Sequence, residues 1–158
     1  MRLTVGKGID QYINNLTNLE MRTDGLIGRA VYEGAKIVTD AVKKNLEAIP
    51  TDDRPSAETR NGLRTIQKEA LKASLGIAKH QIDGGYYNVK VGFDGYNNIK
   101  TDRYPQGQPN AMIARTIEAG NSFTKKHPFV GPAVRSSRAA AEKAMADVIN
   151  KETMNIMT

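Results

Sequence analysis

Two histidines are the residues of this chain best suited to acid–base or metal chemistry. The chain contains His80 and His127 and has no cysteine. A metal site needs several Cys, His or carboxylate ligands at characteristic spacings, and neither histidine has such companions in the sequence. We place His80 in a predicted strand. We interpret His127, which precedes Pro128, as a hydrogen-bonding corner residue, and catalysis by its imidazole as the alternative.

Carboxylates and glycine motifs offer the remaining candidate chemistry. Asp52 and Asp53 could bind a metal ion or exchange protons, but adjacent carboxylates on a polar loop are usually just solvated. Residues 94–97 begin like a calcium loop and lack its acidic pattern and its terminal glutamate. Residues 25–28 have the G-x-x-G form with which one class of RNA-binding module clamps a backbone. We predict no catalytic residue, no metal site, no cofactor and no enzyme activity; an enzyme with a carboxylate-only site is the alternative.

Composition limits the kind of protein. At 158 residues the chain is predicted to form one domain, residues 1–158. Its formal net charge of +6 favours an acidic partner such as nucleic acid, although the basic residues are scattered as on a solvated surface. With no tryptophan and three phenylalanines the core must be lean. Subunit contacts would add the burial that such a core lacks, which favours an oligomer.

Nothing in the sequence suggests a membrane protein. We find no run of about eighteen apolar residues, the length that a transmembrane helix needs. The first eight residues lack the apolar core of a signal peptide. We therefore expect a protein without a transmembrane helix that is made and used in the cytosol.

Helical periodicity dominates the first half of the chain. Apolar residues at helical spacing predict one helix over about 8–20 and a longer one over about 24–48, capped by Asp24 and closed by Pro50. We expect Gly34 and its neighbour Ala35, inside the longer helix, to let another backbone approach closely. A polar surface loop over 51–62 should follow.

The middle of the chain changes from a helical to a strand pattern. We predict a third helix over about 63–75, stopped by Gly76. Alternating apolar and polar residues over 86–93 predict a strand that is covered on one face, and residues 77–82 are its expected partner across a turn at residues 83–85. The polar stretch 95–110 is longer than most loops in compact domains. We interpret it as a loop that orders against a partner; a surface loop without a role is the alternative.

The last third of the chain builds a rigid corner. A short helix over about 111–117 ends at Gly120, and Pro132 lies in the first turn of a final helix, where its missing N–H costs nothing. We expect the tail after Lys151 to be frayed. The predicted buried stripe of the final helix is Val134, Ala141, Met145, Val148 and Ile149. With a first strand at Leu3 and Val5, the fold class is α+β: a small antiparallel sheet (a β-hairpin plus the N-terminal strand) packed against one long and several shorter helices.

The order of these segments resembles a family of tailed-phage proteins. The opening residues 3–10 with their helix, the long helix closing on Pro50, and the hairpin with Val89-Lys90-Val91-Gly92-Phe93 occur in the family's order. The most specific match is Glu118-Ala119-Gly120-Asn121 followed by His127-Pro128-Phe129-Val130-Gly131-Pro132-Ala133. It resembles the E-x-G-T and h-P-F-l-x-P-A signature of the phage neck and tail-completion family typified by HK-97 gene product ten.

The resemblance implies a structural virion protein at the head–tail junction of a long-tailed phage, made in the host bacterial cytoplasm. Such proteins form homo-oligomeric rings, here expected to be six- or twelve-fold, and have no enzymatic activity. The implied partners are a head connector or head-completion protein, a tail terminator or tail tube protein, and phage DNA in passage, with no membrane. The candidate assembly and corner residues are Glu118, Gly120, His127, Pro128, Phe129 and Pro132.

A different reading of the charge gives the alternative function. A small cytosolic protein could bind nucleic acid with its basic surface and its G-x-x-G segment. A gel shift against single-stranded RNA and duplex DNA separates the two functions, because a ring that lets DNA pass should bind it only weakly.

Overall fold

The computed structural model describes residues 7–55 and 59–158. Within these ranges the chain forms four helices and four short strands, which confirms the α+β class. In chain order they are α1 Lys7–Ala48, α2 Thr65–Ser74, β1 Leu75–Ile77, β2 Gln81–Asp83, β3 Tyr86–Asn88, β4 Val91–Phe93, α3 Asn110–Ala119 and α4 Val130–Met157. The predicted first strand at Leu3 and Val5 lies outside the described residues.

Helix α1 is continuous over 42 residues, so the prediction of two helices with a cap at Asp24 is wrong. Gly25 and Gly28 each weaken a helix by up to about 1 kcal/mol relative to alanine, which packing against a second helix can offset. Leu26 is 4% exposed and anchors this stretch in such packing. Asp24 instead accepts a hydrogen bond from the Tyr87 hydroxyl, which links α1 to β3 and raises the pKa of that phenol.

Helices α1 and α4 run antiparallel along one another. Asn15 Nδ2 donates to the Met157 carbonyl over 3.2 Å near one end, and Asn45 Nδ2 donates to the Phe129 carbonyl over 3.1 Å near the other. At Gly34, between these ends, an added Cβ would lie 2.8 Å from Met145 Cγ. The expectation that Gly34 admits a close neighbour is confirmed, and the neighbour is α4.

Small residues form the buried side of α4. Ala133, Ser137 and Ala141 are buried, whereas Val134 is 45% and Ile149 is 37% exposed. The prediction of a buried position is correct for Ala141 and wrong for Val134 and Ile149. Small side chains on the buried face let the axes of α1 and α4 come close, which leaves the larger side chains at the edge of the interface. The Ser137 hydroxyl is satisfied by the Ala133 carbonyl at 2.7 Å. The helix continues to Met157, beyond Lys151 where fraying was expected.

The predicted hairpin is present but interrupted. Strands β2 and β3 pair antiparallel across a turn at Gly84 and Gly85, and β1 pairs with β4 further from the turn. Between the two ladders, residues 78–80 oppose residues 89–90, a one-residue offset of the kind that a β-bulge creates. His80 lies in this offset and not in a strand. Gly76 does not stop α2, which ends at Ser74, but lies inside β1.

The core lies around the C-terminal half of α1, where α2, α3, β4 and the start of α4 meet. Lys68 of α2 donates to the carbonyls of Glu47 at 2.8 Å and Ile49 at 2.7 Å, which satisfies acceptors left over at the end of α1. The cluster of buried side chains comprises Val42, Leu46, Ile49, Leu63, Leu71, Ile113, Ala114, Ile117, Phe129 and Ala133. In the parts of the chain that are described, no helix has the length and apolar character needed to cross a bilayer.

Candidate functional site

Glu118 of α3 caps the start of α4. Its Oε2 accepts hydrogen bonds from the backbone N–H groups of Phe129 at 2.7 Å and Val130 at 2.9 Å, and its Oε1 accepts one from Gly131 at 2.9 Å. A helix leaves its first four N–H positions without an internal partner. Here the fourth position is Pro132, which has no N–H, so one carboxylate satisfies every donor at the start of α4. We call this arrangement the Glu118 cap.

The Glu118 cap holds a charged carboxylate. Burial opposes ionisation of Glu118, but the three backbone N–H donors and the nearby Lys126 ammonium outweigh it and hold the pKa of Glu118 below its usual value. The side chain is therefore an anion at neutral pH. A negative charge at a helix N-terminus is further stabilised by the positive end of the helix dipole.

Gly120 makes the return from α3 to α4 possible. It ends α3 with a φ of 74°, and its N–H donates to the Thr116 carbonyl over 2.7 Å. A Cβ at this position would lie 2.9 Å from Lys126 Cβ and 3.0 Å from Lys126 N, in a backbone conformation that other residues rarely adopt. The chain then folds back, and His127 N donates to the Ile117 carbonyl over 2.8 Å.

Phe129 anchors the corner in the core. Its side chain is 1% exposed, and its ring lies 5.8 Å from the ring of Phe93 at an interplanar angle of 57°. Its N–H is held by Glu118 and its carbonyl by Asn45 of α1. Three elements, α1, α3 and β4, therefore fix Phe129, the residue that immediately precedes α4.

The remaining corner residues play smaller parts. His127 Nε2 lies 3.3 Å from Asn61 Oδ1, a hydrogen bond to the segment that precedes α2. Pro132 is half-buried in the first turn of α4, while Pro128 is exposed. The six predicted residues thus lie in one region, and the imidazole of His127 is hydrogen-bonded there. Sequence reasoning missed Asn45 and Asn61, because neither lies near the corner in the chain.

The carboxylates of the candidate acids Asp52 and Asp53 accept hydrogen bonds from backbone N–H groups. Asp52 is buried; the Arg54 guanidinium, at 2.7 Å, and the Asn61 N–H hold its pKa far below the usual range. Asp53 accepts from the hydroxyl of Thr65 at 2.5 Å and from its N–H at 2.9 Å, which lowers its pKa and caps α2. Both remain anions and are poor proton donors. Among the residues with described positions, no three potential ligands converge on a metal site.

The loop 95–110 is ordered by its own hydrogen bonds at its base. Asn97 is buried, and its Oδ1 accepts from the N–H groups of Ile99 at 2.9 Å and Gln108 at 3.1 Å. Asn110 N donates to the Gly95 carbonyl over 3.0 Å and closes the loop. The base of the loop therefore needs no partner to be ordered. A contact between the loop and a partner stays a prediction.

Comparison of the chain with protein-family models, with curated proteins and with solved structures finds no significant match.

Proposed function

We propose that this chain is a structural virion protein of the head–tail junction of a long-tailed phage. It assembles as a ring that joins the head connector to the tail tube and lets DNA pass. The observation that carries the proposal is the Glu118 cap. Segments 118–121 and 127–133, which resemble the family signature, meet around the Glu118 carboxylate and the buried Phe129 ring. The residue types of the two segments do not by themselves require this contact.

The corner supports an assembly role because it fixes the orientation of helix α4 relative to the rest of the subunit. Helix α4 is held at its start by Glu118, Phe129 and Asn45 and then packs along α1. Closing a ring needs subunits whose two different contact patches keep a constant relative orientation. Rigidity before association also lowers the entropy lost when subunits dock.

The nucleic-acid-binding alternative has less support. Its G-x-x-G segment lies in the middle of α1, where a backbone clamp would need both glycines accessible. Gly28 is buried, and a Cβ at this position would lie 3.0 Å from Cε1 of the His80 ring. The formal charge of +6 remains compatible with a ring through which DNA passes.

Complementation of particle assembly tests the proposal. Lysates in which the phage lacks this chain should contain filled heads and separate tails, and adding the purified protein should restore joined, infectious particles. Glu142→Gln, a change of an exposed charge on α4, should complement like the native chain. Joined particles in the absence of the chain would contradict the proposed role.

A further inference from the structure

Helix α1 begins with an apolar stripe that the rest of the described chain leaves about half exposed. The stripe consists of Ile9, Tyr12, Ile13 and Leu16, whose exposed fractions are 55%, 54%, 53% and 42%. The spacing i, i+3, i+4, i+7 is the pattern with which an amphipathic helix anchors itself in an apolar groove. A contiguous exposed patch of large apolar side chains marks an interaction surface.

The same subunit carries a groove of matching character. It is an open cavity of about 670 Å³ between the middle of α1, the residues that follow β1, and the C-terminal part of α4. Its apolar lining includes Tyr32, Ile77, Ala78 and Val148. We call it the α1–α4 groove; Gly28, Arg29, Lys79, Lys151 and Glu152 also line it.

The stripe cannot fill the groove of its own subunit. Both lie on α1, which is one uninterrupted helix from Lys7 to Ala48. Leu16 and Gly28 are twelve residues apart, about 18 Å along the helix axis at the usual rise. A continuous helix holds this separation, so the stripe can reach such a groove only in another molecule.

The charges around the two surfaces are complementary. Asp10 lies next to the start of the stripe, and Glu20 continues it one turn beyond Leu16; both are exposed. Lys79 and Lys151 line the groove and are also exposed. None of the four has an ion-pair partner within residues 7–55 and 59–158, whereas Arg29 and Glu152 of the groove already pair with each other at 3.1 Å.

We propose that the apolar stripe of one subunit docks in the α1–α4 groove of a second copy of this chain. Two different patches meet in such a contact, so it is heterologous and propagates from subunit to subunit until a ring closes. The proposal deepens the ring assembly proposed above and rests on it. The proposed contact places the helix of one subunit in the groove of the next. Asp10 and Glu20 of the first subunit then lie beside Lys79 and Lys151 of the second.

Two single variants and their mixture test the contact in the full chain. Ile13→Asp places a charge in the stripe, and Ala78→Glu fills the groove from an exposed position. Each should weaken self-association by about 30-fold or more, as charge or bulk at an interface centre does. Met21→Asp is the matched control, since Met21 is a 73% exposed apolar residue of α1 outside the stripe. Leu16→Asp is a second stripe variant, and circular dichroism confirms folding of each.

Sedimentation velocity reads out the association. We expect the native chain and Met21→Asp to form large oligomers and each stripe or groove variant to be monomeric. A mixture of Ile13→Asp and Ala78→Glu keeps one intact stripe and one intact groove and should form a 1:1 dimer that grows no further. A native chain that stays monomeric, association that survives Ile13→Asp, or a loss caused by Ile13→Asp alone with Ala78→Glu unaffected would overturn the proposal. The last result would indicate stripe-to-stripe pairing.

The two proposals fail separately. If the chain is needed to join heads to tails but Ile13→Asp still forms its rings, the docking contact is wrong and the junction role stands. If the mixed variants dimerise as expected but particles join without the chain, the contact stands and the junction role is wrong.

Discussion

Replacing Glu118 by glutamine removes the charge of the Glu118 cap and leaves its shape. The carboxamide oxygen can still accept from Phe129 and Val130, which share Oε2 in the native cap. Its NH₂ group then faces the N–H of Gly131, which now contacts Oε1 at 2.9 Å, so two donors oppose each other. Turning the amide over instead leaves the other two N–H groups without an acceptor.

The cost follows from the number and kind of bonds lost. Hydrogen bonds to a charged group contribute about 1.5–3 kcal/mol and neutral ones about 0.5–1.5 kcal/mol, and a charge at a helix N-terminus adds about 0.3–1 kcal/mol. We therefore expect Glu118→Gln to lower the free energy of unfolding by about 2 kcal/mol. For a chain of this length, that corresponds to a fall in Tm of about 4–8 °C.

The effect should depend on pH in a defined direction. The folded-state pKa of Glu118 is lowered from its ordinary value of 4.5, so its stabilisation is fully present above 4.5. It is lost as the pH falls through the folded-state pKa. The difference in stability between the native chain and Glu118→Gln should therefore shrink in acid, while the lowered pKa values of Asp52 and Asp53 affect both chains equally.

Urea unfolding followed by circular dichroism measures this difference at neutral and acidic pH. All chains are compared at one low protein concentration, because association stabilises the folded state. Glu142→Gln is the control: Glu142 pairs with Arg138 of α4 on an exposed surface, so its loss should leave the free energy of unfolding nearly unchanged. A loss of stability in Glu118→Gln as small as that of the control, or one that does not change with pH, would contradict the role of the charged carboxylate.

Three further predictions concern the core, the helix pair and DNA. Phe129→Ala should cost about 3–5 kcal/mol in urea unfolding, since the ring is fully buried, and a loss below 1 kcal/mol would exclude it as an anchor. Gly34→Leu should destabilise the chain by about 1–3 kcal/mol through overpacking against Met145. Gly25→Ala should stabilise it by up to about 1 kcal/mol, because a Cβ at Gly25 would meet Arg29 Nη1 only at 3.9 Å, an ordinary contact; equal effects would contradict the close approach of α4. The chain should bind duplex DNA with a Kd of about 10⁻⁶ M or weaker at physiological salt, and more weakly as the salt concentration rises. Nanomolar binding in a gel shift would contradict a ring through which DNA passes freely.

Local chemistry made several elements predictable. Glycine at 84–85 and alternating side chains after it identify the hairpin, and proline at 132 identifies the first turn of α4. These signals depend on backbone preferences of single residues. Gly120 belongs to the same class, since its positive φ marks the end of α3.

Tertiary contacts decided what the sequence left open. The gap predicted in α1 is bridged because Leu26 and Ala30 pack in the interior and offset the cost of the glycines. The buried face of α4 consists of small residues because α1 lies close to it, and hydrophobic periodicity does not reveal such a close approach. The Glu118 cap joins residues eleven to thirteen positions apart across a turn. Only the folded chain shows that these three N–H groups are all the donors at the start of α4, because Pro132, the next residue, has none.

A cryo-electron microscopy reconstruction of the neck of the phage particle would show whether this chain forms the proposed ring. We expect a closed ring of this chain between the head connector and the tail tube, with the α1–α4 pair and the corner at Glu118 resolved in each subunit. A reconstructed neck in which every ring is built from other proteins, with this chain missing from the particle, would contradict it.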